Sequence, residues 1–267
     1  MPFDVPQPRV VATDLDGTLL RSDGTVSSRT REALRLAEDA GATVVFVTGR
    51  PPRWLDILAD AVAGHGVTIC ANGALVYDVH RRVLIEQHSL DGQVAMEVAL
   101  ALRAALPGVT FAIERELVYG KESAFQNRWP LPDGAIEAEL DVLLAEPVAK
   151  MIARHASIPA PEFVSKGVAV VGDLASTTYS ESAPMLEISA LGISKASTLA
   201  AFCAERGIAS DEVVAFGDMP NDSLMLEWAG TSFAMENAHP DAVAAAGHRC
   251  GRNDDDGVAQ VLERFFA

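Results

Sequence analysis

Three short apolar runs in this chain stop abruptly on polar residues, and that pattern narrows the fold more than any other feature of the sequence. Val10-Val11-Ala12-Thr13 runs into Asp14, residues 44–47 run into Thr48, and residues 213–216 run into Gly217-Asp218. A fourth run, residues 67–71, is followed by the turn pair Asn72-Gly73. Runs this short, without polar alternation, read as strands buried on both faces. Helical patterns lie between them. Ser27-Ser28 can cap a helix through about Ala40, with Ala33, Leu34 and Ala37 on its buried face and Gly41 past its end. Late in the chain, Ser194 caps a helix from Lys195 to about Arg206, ended by Gly207. Strand-helix alternation of this kind predicts an α/β fold on a doubly wound parallel sheet.

The middle of the chain has another character. Residues 83–88 and 109–115 read as strands around an Ala- and Leu-rich helix at 92–106, followed by a strand at 149–155, a helix at 161–171 and closing strands at 177–182 and 185–189. Strands in neighbouring pairs around helices predict an α+β module on an antiparallel sheet. This places an inserted domain at about residues 80–188, between core segments 1–79 and 189–267, with residues 74–77 and 186–189 as the expected hinges.

Composition sets the limits of function. At 267 residues, 49% hydrophobic and 22% charged, the chain can bury a sizeable core and is not disordered by default. Cys70, Cys203 and Cys250 are odd in number and widely spaced, which fits reduced thiols in a cytoplasmic protein. No apolar stretch approaches a transmembrane span, and residues 1–8 carry no apolar run of a signal peptide, so a cytoplasmic location without membrane contact is expected. A formal charge of −16 disfavours nucleic acid, which needs clustered Lys and Arg. It also repels small phosphorylated substrates at long range, so their capture would have to be local, by a metal ion and a few placed cations.

The polar residues sit where an open parallel sheet binds ligands, beyond the carboxyl ends of its strands. Asp14 and Asp16, separated by Leu15, point the same way from an extended segment, and Gly17 lets the backbone approach an anion closely. One carboxylate of such a pair can attack phosphorus while the other donates and later accepts a proton. An isolated Asp-x-Asp is more often a capped turn. The string Asp14-Leu15-Asp16-Gly17-Thr18-Leu19-Leu20 after a strand is far more specific. Thr48-Gly49-Arg50 offers a hydroxyl and backbone N–H groups at an expected helix start, an arrangement for anions or a plain turn capped by Thr48. Lys195 stands in a first helical turn, where the dipole disfavours a cation, so propensity does not account for it. Asp218, Asn221 and Asp222 concentrate hard oxygen donors suited to Mg²⁺; a capped turn accounts for Asp222 but poorly for Asp218.

In this order the motifs resemble the haloacid dehalogenase-like hydrolase superfamily, specifically its Cof-type phosphatases. Residues 14–20, the Thr48-Gly49-Arg50 signal, Ala71-Asn72-Gly73-Ala74, residues 192–197 and residues 217–222 all fall where that family places them. The resemblance spans the whole chain. It implies a Rossmann-like core with an inserted α+β cap, Mg²⁺ as cofactor, and a small phosphorylated metabolite as substrate. By position it makes Asp14 the nucleophile that forms an aspartyl-phosphate and Asp16 the general acid/base. Thr48, with Gly49 and Arg50, would bind the transferred phosphoryl, and Lys195 would balance charge on it and on the nucleophile. Asp14, the main-chain carbonyl of Asp16, and Asp218 would hold Mg²⁺, with Asn221 and Asp222 in or next to that shell. Asp16 stands where ATP-driven pumps have Thr and phosphonate-cleaving relatives have Ala, so the chain resembles the phosphatases and mutases. Residues 20–27 are too few for a cap, so the lid is the insert between Arg50 and Lys195. Departures are small: Ala196 follows the lysine where Gly is frequent, and Met219-Pro220 fill the variable pair. Three readings stay open: a phosphatase, a hexose-phosphate mutase, and a non-enzymatic phosphate-binding regulator. Residues around 122–129 are expected to help set the substrate, which no motif decodes, and oligomeric state is not legible.

Overall fold

A computed structural model describes residues 6–55, 66–127, 130–179 and 184–267. Residues 180–182 of the expected closing strand, and residues 128 and 129 of the expected specificity segment, lie outside these. The chain divides into two compact units, Met1–Ile85 with Lys195–Ala267, and Glu86–Ser194.

Among the described residues the first unit is built on eight strands: Val10–Thr13 (β1), Thr43–Val47 (β2), Val67–Cys70 (β3), Leu75–Asp78 (β4), Val83–Gln87 (β5), Val213–Gly217 (β12), Thr231–Ala234 (β13) and His248–Arg249 (β14). Their order is β14-β13-β12-β1-β2-β3-β4-β5. The run from β14 to β3 is parallel, and β4 turns back antiparallel to β3. The first strand is therefore interior: the chain leaves it for β2 on one side and returns to β12 on the other. Thr13 lies level with both Phe46 and Phe216, so the residues after β1, β2 and β12 emerge side by side at one edge of the sheet. That is the switch point of a doubly wound fold.

Helices cover both faces. Ser28–Asp39 (α1) is capped by Ser27, whose hydroxyl accepts from Thr30 N–H, and buries Thr30, Ala33, Leu34 and Ala37. It packs on β2 and on Gly257–Phe266 (α8). Against the side chains of Val10, Ala12, Val45, Val47, Val213 and Ala215 pack Leu199 and Phe202 from Lys195–Ala204 (α5), Met225 and Leu226 from Ser223–Trp228 (α6), and Ala242 from Pro240–Ala245 (α7). Alternate residues of continuous apolar strands thus serve two helical layers, which is why these strands lack polar alternation.

The second unit carries Thr110–Arg115 (β6), Val118–Lys121 (β7), Ile136–Glu137 (β8), Lys150–Arg154 (β9), Ser176–Thr178 (β10) and Met185–Ser189 (β11) in the order β10-β11-β9-β6-β7-β8. All neighbours are antiparallel except β7 and β8. Gly92–Ala105 (α2), capped by Asp91, and Ala160–Val171 (α4) contribute Val98, Leu102 and Phe163 to a separate core with Phe111, Ile113, Met151, Leu186 and Ile188. A short helix, Leu140–Leu143 (α3), adds its two leucines.

Two expectations are corrected. Residues 83–88 were assigned to the insert, yet β5 is the last strand of the first sheet, paired to β4, with Val83 and Ile85 exposed. Residues 74–77 and 186–189 are the expected hinges; residues 75–77 instead lie in β4, between β3 and β5, and residues 186–189 form β11, bonded on one side to β10 and on the other to β9. A strand with partners on both sides has no torsional freedom to serve as a hinge. The chain crosses between the units at 85–86 and 194–195.

Phe163 is fully buried in the second core. Phe163→Ala is expected to destabilise that unit by about 3–5 kcal/mol. Hydrogen exchange should show faster opening of residues 92–189 with β1 and β12 unchanged; uniform loss of protection across both sheets would contradict separate cores.

Candidate active site

Asp14 follows β1 directly, its N–H donating to Phe216 O at 3.0 Å, so the neighbouring strand β12 fixes where the carboxylate begins. Asp218 follows β12, and Lys195 opens α5. All three side chains are buried, and so is Asp222. Lys195 Nζ donates to Asp14 Oδ1 and to Asp222 Oδ1, each at 2.6 Å. The other oxygen of Asp222 accepts from the N–H groups of Asp218 (3.0 Å) and Met219 (2.9 Å), folding the loop around itself. Gly217 permits this, because a Cβ there would lie 2.6 Å from Asp222 Cβ. Asp218 Oδ1 accepts from Thr18 Oγ1 at 2.7 Å. Gly17 has φ +79°, and a Cβ on it would stand 2.3 Å from Asp218 Oδ2, so only glycine lets the loop after β1 pass so close.

Carboxylate oxygens of Asp14, Asp218 and Asp222 lie within 4.8 Å of one another. Crowding shows in the titration of these groups. Burial first, then the Asp222 and Asp218 charges, raise the Asp14 carboxyl well above its ordinary range against the pull of Lys195. Burial and Asp222 push Asp218 up to about 7, opposed by the Thr18 hydrogen bond and Lys195. Burial alone would lower the Lys195 ammonium, but the two carboxylates override it and hold the pKa above its usual value.

Asp16 does not join this cluster. Its side chain is 59% exposed, against 7% for Asp14. Both its oxygens accept from Arg50: Nε to Oδ2 at 2.7 Å and Nη2 to Oδ1 at 2.5 Å. β1 ends at Thr13, and Thr18, Leu19 and Leu20 turn back onto residues 14 and 15. The extended segment expected to aim Asp14 and Asp16 alike is therefore a compact turn. Thr48 Oγ1 accepts from Arg50 N–H at 3.0 Å. No helix starts at Thr48; a single 3-10 turn, Pro52–Trp54, follows. Any anion contact of Thr48-Gly49-Arg50 is a loop contact, without a helix dipole. Asn221 is placed by Asn72, whose Oδ1 accepts from Asn221 Nδ2 at 3.0 Å, while Asn221 Oδ1 is buried with no hydrogen-bond partner.

Three supporting residues had not been singled out. Thr18 orients Asp218, Asn72 orients Asn221, and Asn237 Nδ2 donates to Gly17 O at 2.8 Å, tying down the turn after β1. Asn72 carried a signal: it has φ 58°, a left-handed conformation that Asn accepts more readily than other non-glycine residues, and it stands in an Asn-Gly pair. Asn237 carried none.

The family model for haloacid dehalogenase-like hydrolases matches residues 11–262, and the chain belongs to this family of hydrolases. Over 267 residues it is 30% identical to a pyridoxal phosphate phosphatase of Escherichia coli, covering 95% of this chain and 97% of that protein. It is 28% identical over 266 residues to a 5-amino-6-(5-phospho-D-ribitylamino)uracil phosphatase of Bacillus subtilis, covering 96% and 95% of the two. A solved haloacid dehalogenase-like hydrolase from Bacteroides thetaiotaomicron superposes with a TM-score of 0.77 at 26% identity, over 97% of this chain and all of that one.

Stability should carry the mark of the crowded carboxylates. Folded Asp218 keeps its proton up to about 7, whereas the unfolded chain releases it near 3.8. The folded state therefore binds the extra proton, and this group's contribution to stability falls as pH rises through that window. In metal-free protein, the urea midpoint of Asp218→Asn minus that of the parent is expected to grow between about pH 4 and about pH 7. A difference that stays flat or shrinks would contradict the raised carboxyl.

Proposed function

We propose that this protein is a Mg²⁺-dependent phosphomonoesterase that hydrolyses a small phosphorylated metabolite through an aspartyl-phosphate on Asp14. The observation that carries the reading is the buried Lys195 ammonium shared between Asp14 and Asp222, with Asp218 beside them. The two phosphatases named above support the substrate class, since each takes a small phosphorylated compound by name. Among the described residues no helix is long and apolar enough to cross a membrane.

The donor set fits a divalent cation. Three buried carboxylates face one ammonium, and when all are ionised two negative charges are left over, which a hard dication would neutralise. Asn221 Oδ1, buried without a partner in the same loop, is a further oxygen of the right kind for the ion or for one of its waters. We assign Asp14, Asp218 and the main-chain carbonyl of Asp16 to the ion, with Asn221 and Asp222 beside it. When bound, Mg²⁺ would neutralise charge on the oxygens of the phosphoryl group.

Lys195 holds Oδ1 of Asp14, which leaves Oδ2 to attack phosphorus. As the Asp14 Oδ2–P bond forms, the P–O bond to the leaving group breaks, and Asp16 gives its proton to the departing oxygen. Asp16 then takes a proton from a water that attacks the same phosphorus. The Asp14–phosphorus bond breaks, releasing inorganic phosphate and restoring the Asp14 carboxylate and the protonated Asp16. Lys195 offsets charge on Asp14 in both steps, and Thr48, Gly49 and Arg50 hold the transferred group.

Asp14→Asn is expected to abolish phosphate release, because an amide cannot form the acyl phosphate. Asp16→Asn should slow both steps by about 10²- to 10⁴-fold. Phosphate-release assays over sugar phosphates, nucleotides and pyridoxal phosphate would measure both. Near-parental turnover by Asp14→Asn would remove the covalent mechanism, and conversion of a hexose 1-phosphate to its 6-phosphate without phosphate release would make the enzyme a mutase.

Chelation gives a separate check. EDTA should stop turnover and added Mg²⁺ restore it, with a rise in melting temperature on adding Mg²⁺ that Asp218→Asn lacks. Full activity after exhaustive chelation would contradict the assignment of Asp218.

A further inference from the structure

Asp16 is asked to hand a proton to the leaving group, yet both its carboxylate oxygens are occupied by the Arg50 guanidinium. A carboxylate gripped by a fork of two donors is held in the plane of the guanidinium, with one lone pair of each oxygen committed to it, and so is not free to swing toward a third group. Arg50 must release Asp16 before Asp16 can act. What could release it is written in the same short segment: Arg50 N–H donates to Thr48 Oγ1 at 3.0 Å, so the guanidinium and the hydroxyl assigned to the phosphoryl share one loop. The Arg50 side chain is 22% exposed and open to an incoming ligand. Among the described residues its remaining side-chain hydrogen bond is a long one, Nη1 to Trp54 O at 3.5 Å.

We infer that the Arg50–Asp16 pair is a latch that the substrate's phosphoryl group opens. Arg50 is thereby a positioning residue for Asp16: it holds the carboxylate while the site is empty and exchanges it for phosphoryl oxygens when substrate enters. The inference rests on the reading of Asp16 as acid/base given above. Its physical basis is competition for one planar fork. A phosphoryl dianion offers the guanidinium the same two-oxygen geometry as a carboxylate, with twice the charge. The exchange is favourable because one partner of the broken pair is left exposed to water, where an ion pair is worth little. Binding of the phosphoryl and freeing of the Asp16 carboxylate then become one event, and the freed carboxylate takes from bulk solvent the proton that it gives to the leaving oxygen. No bond to phosphorus changes in the exchange itself.

Competition of this kind has a thermodynamic signature that simple phosphate binding by Arg50 lacks. If orthophosphate must displace Asp16 from Arg50, removing Asp16 tightens phosphate binding, and it does so only while Arg50 is present. The test is a double-mutant cycle on the full chain with Mg²⁺, titrating inorganic phosphate by calorimetry into the parent, Asp16→Ala, Arg50→Ala and the double variant. Asp16→Ala is expected to bind phosphate about two- to fivefold more tightly than the parent, the range set by an exposed ion pair. In the Arg50→Ala background the same change should leave affinity where it was. Asp16→Asn, closer in shape, should behave as Asp16→Ala does, and guards against a local collapse in the smaller variant. An equal gain in both backgrounds would mean that Asp16 merely repels phosphate, and no gain in either would mean that phosphate does not compete for Arg50; either result overturns the latch. Phosphate affinity does not depend on Asp14 acting as nucleophile. Coupling in the cycle together with near-parental turnover by Asp14→Asn would therefore fault the catalytic reading and leave the exchange standing, whereas an uncoupled cycle with inactive Asp14→Asn would do the reverse.

Discussion

Lys195 Nζ stands 2.6 Å from one oxygen of Asp14 and 2.6 Å from one oxygen of Asp222, with all three side chains closed off from water. Each of those groups would be costly to bury ionised on its own. Together they hold three separate stretches of chain in register: the turn after β1, the loop after β12, and the start of α5. Asp222 extends the hold by accepting two backbone N–H groups with its other oxygen, which fixes the loop that presents Asp218. Deleting one member of a buried set like this typically costs about 3–5 kcal/mol, because the partners stay behind uncompensated. The arrangement still leaves carboxylate in excess, and burial first, with that excess added to it, raises the pKa values of Asp14 and Asp218. The same excess that strains the site makes it receptive to a hard cation.

Sequence carried much of this because its physics is local. A β-branched run with no alternation has to be an interior strand, and β1, β2 and β12 are interior strands ending where their polar residues begin. The helix cap at Ser27 follows from a side chain that reaches an N–H group three residues on. What sequence did not carry depends on pairing between distant segments. Asp16 and Arg50 are 34 residues apart, and nothing local to Asp16 distinguishes a carboxylate held in an ion pair from one aimed alongside Asp14. Residues 83–88 were misplaced for a related reason: a strand's pattern says that it pairs, but not with which sheet. Asn237 reaches Gly17 from 220 residues away, and only the fold brings them together.

A net charge of −16 has to be reconciled with an anionic substrate. The global field repels such a ligand, and screening at physiological salt confines that repulsion to about 8 Å. Lys195 and Arg50 are cations already engaged with carboxylates, Lys195 with Asp14 and Asp222 and Arg50 with Asp16. Capture of a phosphoryl group is then an exchange of partners more than the filling of an open positive pocket, and a dication among Asp14, Asp218 and Asp222 would shift the local balance further.

The covalent step at Asp14 is the centre of this mechanism, and it leaves a chemical trace. Rapid acid quench during turnover of a phosphate-labelled substrate, borohydride reduction of any acyl phosphate, and mass spectrometry of the digest would locate it. The expected result is a single reduced residue, homoserine in place of Asp14, present only when substrate and Mg²⁺ are both added. Label on any other residue, or steady turnover with no reducible acyl phosphate at all, would contradict it.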